Sequence, residues 1–314
     1  MFVLFLCALA LDSGAVERRV LVAPGETLTV TISMSAATDS AAAAPALPAV
    51  FIPGLIGASF GYRNVIPPLA AAGHATYIVQ PLGVGSSSHP ADGDYALDAQ
   101  ADRVGAVLDT LGTGRSIIIG SNFGASVAMR LAYRRPDLVA GVLLLDGGPV
   151  DRSSTEGVSL AMKLAPLLRF FGARGIAKRR IRGALVAASA DSSWVTAAVT
   201  NAYAQPIIAD LGATVGVIRA MQRAVAPELL RDNLWRIAQP VRLLIGASNR
   251  QNGIEADETA LLAGRLRDFG ADSVARSGVY LAEERPDAVV AAVLALSDST
   301  RAGMSSAQLH TQLP

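Results

Sequence analysis

Apolar and polar positions alternate in two short stretches near the start of the chain. Residues 19–22 and 27–32 have this strand-like pattern on either side of Pro24-Gly25-Glu26, which predicts a β-hairpin. After an Ala-rich connector at residues 36–48, short apolar runs alternate with helical patterns. Strands are predicted at residues 49–52, 76–79, 116–119 and 139–145, and helices at residues 63–72, 95–111 and 123–134. The alternation is typical of a parallel sheet with helices on both faces.

The alternation stops near residue 151. Residues 151–237 have helical patterns throughout, and breaks are predicted near Gly172, Gly175, Asp191 and Pro206. It resumes after Pro240 with a strand at 241–245, a helix at 257–269, a weak strand near 273–276 and a helix at 286–296. We therefore predict an α/β protein with a mostly parallel, doubly wound sheet. Its parts are a discontinuous core (16–150 and 238–300), an inserted all-helical cap (151–237) and a polar tail (301–314).

Composition limits the classes of function. The chain has 314 residues, of which 51% are hydrophobic and 17% charged, and its net charge is +1, so a folded protein with a large core is expected. The low charge and an aromatic share of 5% argue against nucleic-acid binding. Cys7 is the only cysteine, and His74, His89 and His310 are far apart, so we expect no metal site and no cofactor.

The first fifteen residues allow two interpretations. Residues 1–11 are apolar, too short for the ~20 residues of a membrane span, but suited to the core of a signal peptide. No Lys or Arg precedes this run, which argues against export. A cytoplasmic location is therefore favoured, and export is the alternative if residues 1–15 are a signal peptide.

Candidate chemistry centres on Gly120-Ser121-Asn122-Phe123-Gly124. This segment follows an apolar run and precedes a helical pattern, which is the strand–turn–helix setting of the G-x-S-x-G nucleophile elbow. Its third position, where that motif has serine, holds Asn122. An amide nitrogen whose lone pair is delocalised into the carbonyl is a poor nucleophile.

Six segments together resemble the α/β-hydrolase superfamily, in its members with a helical cap. They are similar in order to the strand ending in His-Gly, the D-x-x-G-x-G-x-S loop, the elbow, the strand before the cap, the strand that delivers the triad acid, and the segment that delivers the triad histidine. In this chain they are residues 50–54, 80–87, 120–124, 143–149, 240–249 and 278–286.

The resemblance implies where a Ser, acid and His triad would lie. Its positions hold Asn122, Asn249 and Val279, none of which supplies the group that the triad needs. The resemblance also implies an oxyanion site made by the main-chain N–H groups of Phe123 and Leu55, with Gly120 and Gly124 shaping the elbow. These donors do not depend on the identity of a side chain, so a polar nest is expected to remain.

Three other side chains are weaker candidates for chemistry. Ser121 adjoins the elbow, although strand alternation predicts that its side chain points away from the line of attack. Asp146 ends a predicted strand, and the alternative role for it is to cap the Gly147-Gly148 turn. Tyr280 follows the vacant histidine position and has either a hydroxyl in the pocket or a packing role.

The sequence thus predicts a degenerate hydrolase that binds a small apolar carbonyl ligand, or a partner, between core and cap. The alternatives are a lyase, isomerase or cyclase that uses the oxyanion nest, and an esterase-like hydrolase with a displaced triad. The cap contains a basic segment with interleaved apolar residues, for which we expect weak membrane contact at most. Its basic residues are Lys163, Arg169, Arg174, Lys178, Arg179, Arg180 and Arg182.

Overall fold

The computed structural model describes residues 14–34, 46–149, 173–248 and 253–311, with side chains of the last helix through residue 303. Several sequence predictions concern residues outside these ranges. They are the apolar residues 1–13, most of the Ala-rich connector, the cap residues 150–172 with Lys163, Arg169 and Gly172, and the acid position Asn249.

Eight strands form a single mixed sheet with the order β1-β2-β4-β3-β5-β6-β7-β8. The hairpin strands β1 and β2 are antiparallel, β2 is antiparallel to β4, and the remaining neighbours are parallel. The strands are β1 Val16–Ala23, β2 Glu26–Ser33, β3 Ala49–Ile52, β4 Thr76–Gln80, β5 Ser116–Ser121, β6 Val139–Leu145, β7 Val241–Gly246 and β8 Phe269–Val274.

The central strands are apolar because helices cover both faces of the sheet. Ile118 of β5 belongs to one buried cluster, while its neighbours Ile117 and Ile119 belong to a second cluster across the sheet. Strand side chains alternate faces, so an unbroken apolar run fills both layers. The predicted fold class, a mostly parallel doubly wound sheet, is confirmed.

The helices of the core divide between the two faces. Helices α2 (Leu97–Leu111) and α3 (Phe123–Arg134) contribute to the first cluster, and α1 (Ile66–Ala71) and the C-terminal helix contribute to the second. The helix predicted at 63–72 begins later, at Ile66, after a 3₁₀ helix at Ala58–Tyr62. Pro67 and Pro68 explain the later start, since proline lacks the N–H group and is tolerated only in the first turn.

The described part of the cap is helical, and it is broken near Asp191 as predicted but not at Gly175 or Pro206. Its helices are α4 Ala173–Ala187, α5 Ala197–Ala209, α6 Leu211–Arg223 and α7 Leu230–Asn233, with 3₁₀ turns at Ser192–Trp194 and Leu234–Arg236. Gly175 and Pro206 lie inside α4 and α5, so the breaks predicted there are wrong. Burial of Tyr203, Ala204 and Ile208 around Pro206 keeps α5 helical despite the lost hydrogen bond.

The last part of the chain also differs from the predicted pattern. Helix α8 is Ala256–Arg265, and β8 begins at Phe269, where pairing with Val241 of β7 overrides the helical pattern. After the short helix α9 (Leu281–Glu284), helix α10 is Pro286–Thr311, longer than the predicted 286–296. Among the described residues, no helix has the length and apolar character that crossing a membrane requires.

Candidate functional site

The turn between β5 and α3 has the strained geometry expected of an elbow. Asn122 has φ 50° and ψ −116°, a region that few residues other than glycine enter. Gly120 and Gly124 permit the turn sterically. A Cβ at Gly120 would lie 2.5 Å from the carbonyl oxygen of Gly124, and one at Gly124 would overlap the carbonyl oxygen of Ile52. The backbone therefore has the conformation of an elbow, with an asparagine at its central position.

A cavity of about 470 Å³ lies between this elbow and the cap. Asn122 and Val279 both line it, together with Ala188 and Tyr203 from the cap. No histidine is among the described residues that line it. His74 is buried elsewhere, with its Nδ1 2.7 Å from the carbonyl oxygen of Leu47. His89 is half-buried in a loop outside the cavity lining, and burial lowers the pKa of its ring.

The two residues with predicted oxyanion donors border the elbow. Phe123 is the first residue of α3, and N–H groups in the first turn of a helix have no intrahelical acceptor. Leu55 follows Gly54, at which a Cβ would lie 3.6 Å from the Cβ of Asn122. Leu55 and Phe123 both line the cavity. Both residues that the resemblance assigns as oxyanion donors thus lie at the cavity beside the elbow.

Ser121 is among the residues that line the cavity. Its side chain contacts Tyr62, which belongs to the same buried cluster as Ile117 and Ile119, the face of β5 that strand alternation predicts for residue 121. Its Oγ lies 2.8 Å from the hydroxyl oxygen of Tyr62, and either atom can donate. Burial raises the pKa of Tyr62 well above its ordinary value, and the Ser121 contact lowers it only in part. The partner of Ser121 is therefore a neutral phenol.

The Asp146 carboxylate accepts hydrogen bonds from segments other than its own turn. Asp146 is buried at the end of β6 with φ 46°, and its Oδ2 accepts a hydrogen bond from the N–H of Gly246 at 2.9 Å. Its Oδ1 accepts one from the N–H of Ile254 at 3.0 Å. A Cβ at Gly253 would lie 2.6 Å from this Oδ1 and 3.1 Å from Cγ1 of Val279. Asp146 is therefore the carboxylate beside the position that the resemblance assigns to histidine.

Tyr280 lies in a group of aromatic rings between core and cap. Its ring centroid is 5.5 Å from that of Trp194 and 6.4 Å from that of Tyr203. Burial raises the pKa of Tyr280 to about 12, so its hydroxyl is protonated at neutral pH. Tyr280 also lines the cavity. The ring contacts give Tyr280 the packing role that the sequence left as one alternative.

Sequence analysis missed a polar network at the cap side of the cavity. The side chain of Glu283 is only 1% exposed, and its Oε1 accepts hydrogen bonds from the Tyr203 hydroxyl at 2.7 Å and from Arg63 Nη1 at 2.5 Å. Burial and the nearby Glu283 charge raise the pKa of Tyr203 well above its ordinary value. No local signal marks Glu283, because its partners are 80 and 220 residues away.

The cap also holds the segment with the vacant histidine position. The N–H of Val279 donates to the carbonyl oxygen of Ala188 at 3.1 Å. The Glu284 carboxylate accepts hydrogen bonds from the N–H groups of Gly278 at 3.1 Å and Ala190 at 3.0 Å. The backbone around Val279 is thereby fixed to the end of α4.

Comparison with known proteins agrees with this architecture. A family model described as the alpha/beta hydrolase fold matches residues 48–174. The chain is 34% identical to 2-hydroxymuconate semialdehyde hydrolase from Pseudomonas sp. (strain CF600) over 99 residues, which are 31% of this chain and 34% of that protein. It is 37% identical to the lipase LipV of Mycobacterium tuberculosis over 90 residues, 28% of this chain and 34% of that protein.

A solved structure of an alpha/beta hydrolase fold protein from Burkholderia ambifaria superimposes with a TM-score of 0.71. The match has 21% sequence identity and covers 92% of this chain and 99% of that one, so it concerns the fold. The chain spans about a third of the length of each of these two curated relatives. With the elbow and the sheet order, these findings show that the chain has the α/β-hydrolase fold.

Proposed function

We propose that this protein is a catalytically degenerate α/β-hydrolase that binds a small apolar carbonyl compound between core and cap. The observation that carries the proposal is Asn122, which occupies the strained elbow in place of a nucleophile. Val279 lines the same cavity where the resemblance implies a base. Without nucleophile and base, a hydrolase retains only binding and oxyanion stabilisation, about 10³–10⁴-fold over water.

The cavity suits a ligand of this class. Its volume of about 470 Å³ is within the ~300–1,000 Å³ range of small-molecule sites. Apolar walls, including Leu55, Val279 and Leu281, adjoin the two main-chain donors. Such donors bind a carbonyl oxygen in the ground state as well as an oxyanion. One of the relatives is named for a semialdehyde, which is also a carbonyl compound.

A hydrolase with a displaced triad is disfavoured by the partner of Ser121. A general base must accept the proton of the attacking hydroxyl, which for a tyrosine requires the phenolate. Burial raises the pKa of Tyr62, so the phenolate is scarce at neutral pH. Because two relatives are named as a hydrolase and a lipase, the test below includes this alternative.

A non-hydrolytic enzyme is a second candidate because of Tyr280. Tyr280 lines the cavity and its hydroxyl is protonated at neutral pH, which suits a general acid in a lyase, isomerase or cyclase. Asp146 is less suited to acid–base work, because both of its oxygens already accept main-chain hydrogen bonds. Consumption of a bound carbonyl compound, with loss of that activity in Tyr280→Phe, would favour this candidate over a binding protein.

Two measurements on the wild-type protein test the proposal. We expect no stoichiometric labelling by a fluorophosphonate probe and no turnover of a panel of 4-nitrophenyl esters. Stoichiometric labelling of Ser121 would overturn the proposal in favour of a displaced nucleophile. In the second measurement, a ¹³C-carbonyl-labelled methyl ketone should bind, and its carbonyl stretch should shift to lower wavenumber because the main-chain N–H groups polarise it.

A further inference from the structure

Glu283 has one carboxylate oxygen that is satisfied and one that is not. Oε1 accepts the hydrogen bonds from Tyr203 and Arg63, while Oε2 is buried and has no hydrogen-bond partner among the described residues. A buried carboxylate oxygen without a donor is costly, since buried polar groups in folded proteins nearly always have partners. Glu283 lines the same cavity as Asn122. The unsatisfied atom therefore belongs to a residue of the ligand cavity.

The charge of the network restricts what can satisfy Oε2. Arg63 already neutralises the Glu283 carboxylate at 2.5 Å, so a second cation would lie close to the guanidinium. A neutral O–H donor avoids that repulsion and still forms a charge-assisted hydrogen bond with the carboxylate. The aromatic rings of Tyr203 and Tyr280 line the cavity beside Glu283 and favour an apolar body for the ligand.

We propose that Glu283 accepts a hydrogen bond through Oε2 from a hydroxyl group of the ligand, so that the ligand class is an apolar carbonyl compound bearing a hydroxyl group. This inference rests on the proposed function, because it assigns the carbonyl oxygen to the N–H groups of Leu55 and Phe123. Oε2 is enclosed in the free protein. Rotation about the last side-chain torsion of glutamate, which is broad, turns this oxygen towards the donor.

The same network explains why the carboxylate stays in place. The Tyr203 ring packs so closely on the turn after β3 that a Cβ at Gly61 would lie 3.1 Å from its hydroxyl oxygen. Arg63 Cζ lies 4.2 Å from the centroid of the Phe60 ring. Core and cap therefore hold Oε1 of Glu283 from two sides, so the carboxylate can turn only partly, and an acceptor restricted in this way can discriminate among ligands.

The test uses three matched sets of compounds. They are 2-octanone, its hydroxy derivatives substituted at carbon 5, 6, 7 or 8, and the corresponding methoxy derivatives, which can accept but not donate a hydrogen bond. Dissociation constants are measured by calorimetry with the full-length protein. For the best-placed substituent, we expect the hydroxy ketone to bind at least about tenfold more tightly than its methoxy counterpart, because donation to a charged acceptor is a strong interaction.

Two variants locate the effect. In Glu283→Gln the amide nitrogen at the Oε2 position donates to both substituents, so the preference for hydroxyl should fall to within about twofold. In the control Asp287→Asn the same charge is removed from an exposed carboxylate four residues away, and the preference should remain. If Glu283→Gln does not fold, the wild-type comparison of hydroxy with methoxy ketones still decides.

The outcomes separate this inference from the proposed function. Binding of 2-octanone with a shifted carbonyl stretch, but no hydroxyl preference at any position, would overturn the role of Glu283 and leave the proposed function intact. A hydroxyl preference that persists unchanged in Glu283→Gln would also overturn it. Binding of none of the ketones would overturn both.

Discussion

Asn122 has the backbone conformation of a nucleophile elbow, but its amide side chain is a poor nucleophile. Its positive φ costs a β-branched or bulky residue heavily, whereas asparagine is among the few residues that adopt it readily. The elbow therefore keeps its backbone conformation with an asparagine at its central position. Asp146 is a second example. Its carboxylate lies near residue 279, although residue 279 is a valine and not a histidine.

This arrangement predicts how many changes would restore hydrolysis. Asn122→Ser alone should raise hydrolysis of 4-nitrophenyl butyrate by less than about twofold, since no base is beside the new hydroxyl. Adding Val279→His supplies a base close to the Asp146 carboxylate, which can stabilise the imidazolium. We expect the double variant to exceed the single one by about tenfold or more, without the third change Asn249→Asp.

A matched control is Asn122→Ser with Val279→Leu, which changes the size of residue 279 but adds no base. Its rate should equal that of Asn122→Ser. Appreciable activity of the single serine variant would contradict the assignment, because it would reveal a base elsewhere in the cavity. If only the triple variant is active, Asp146 is not the effective acid.

Among the elements, the junction of β3, β5 and α3 depends on glycine for close packing. A Cβ at Gly124 would overlap the Ile52 carbonyl oxygen and lie 2.7 Å from that of Pro53, both backbone atoms that cannot move aside easily. Gly124→Ala should therefore lower the free energy of unfolding by more than about 2 kcal/mol, as overpacking in a core does. The midpoint of urea unfolding measures this change.

Gly183 provides the control for that substitution. It lies inside the cap helix α4, and a Cβ there would meet nothing within 4 Å. Gly183→Ala should raise the stability of that helix by about 0.5–1 kcal/mol, because alanine loses less backbone entropy than glycine. Equal effects of the two substitutions would show that close packing at the elbow is not what Gly124 provides.

For the whole molecule, Glu284 is one of the residues that join cap and core. Its carboxylate accepts from Gly278 of the core and from Ala190 and Asp191 of the cap. Glu284→Ala should increase hydrogen–deuterium exchange at these three amides and lower the melting temperature. Asp287→Asn, an exposed change on the neighbouring helix, should leave exchange at these sites unchanged. Unaltered exchange in Glu284→Ala would mean that other contacts hold the cap.

A second feature at the scale of the whole molecule is the basic surface of the cap. Arg179, Arg180 and Arg182 of α4 are exposed, while Ile181 and Leu185 pack inward. Insertion into a membrane interface requires an apolar face at the surface, and in the described part of α4 that face is buried in the cap. We therefore expect no salt-sensitive sedimentation of residues 16–314 with anionic vesicles. Robust binding that is lost at high salt would show a membrane-docking surface.

Much of the fold could be predicted from the local pattern of apolar and polar residues. Strand β6 was predicted with its observed bounds, Val139–Leu145, and α3 with its observed bounds, Phe123–Arg134, because apolar runs between short loops report burial directly. The predicted break at Pro206 was wrong, since packing around α5 outweighs a single lost hydrogen bond. The order of the strands in the sheet is not contained in any local pattern.

The sequence by itself determined that the central position of the elbow is an asparagine, because residue 122 is read directly from the chain. Only the tertiary structure decided which side chains surround it. Glu283 meets Tyr203 and Arg63, and Ser121 meets Tyr62, across separations of 59 to 220 residues. Spacing along a chain reports the faces of single helices and strands, whereas contacts between distant elements arise when the sheet and cap pack together. The burial of Oε2 of Glu283 without a hydrogen-bond donor is a result of this packing and cannot be read from the sequence.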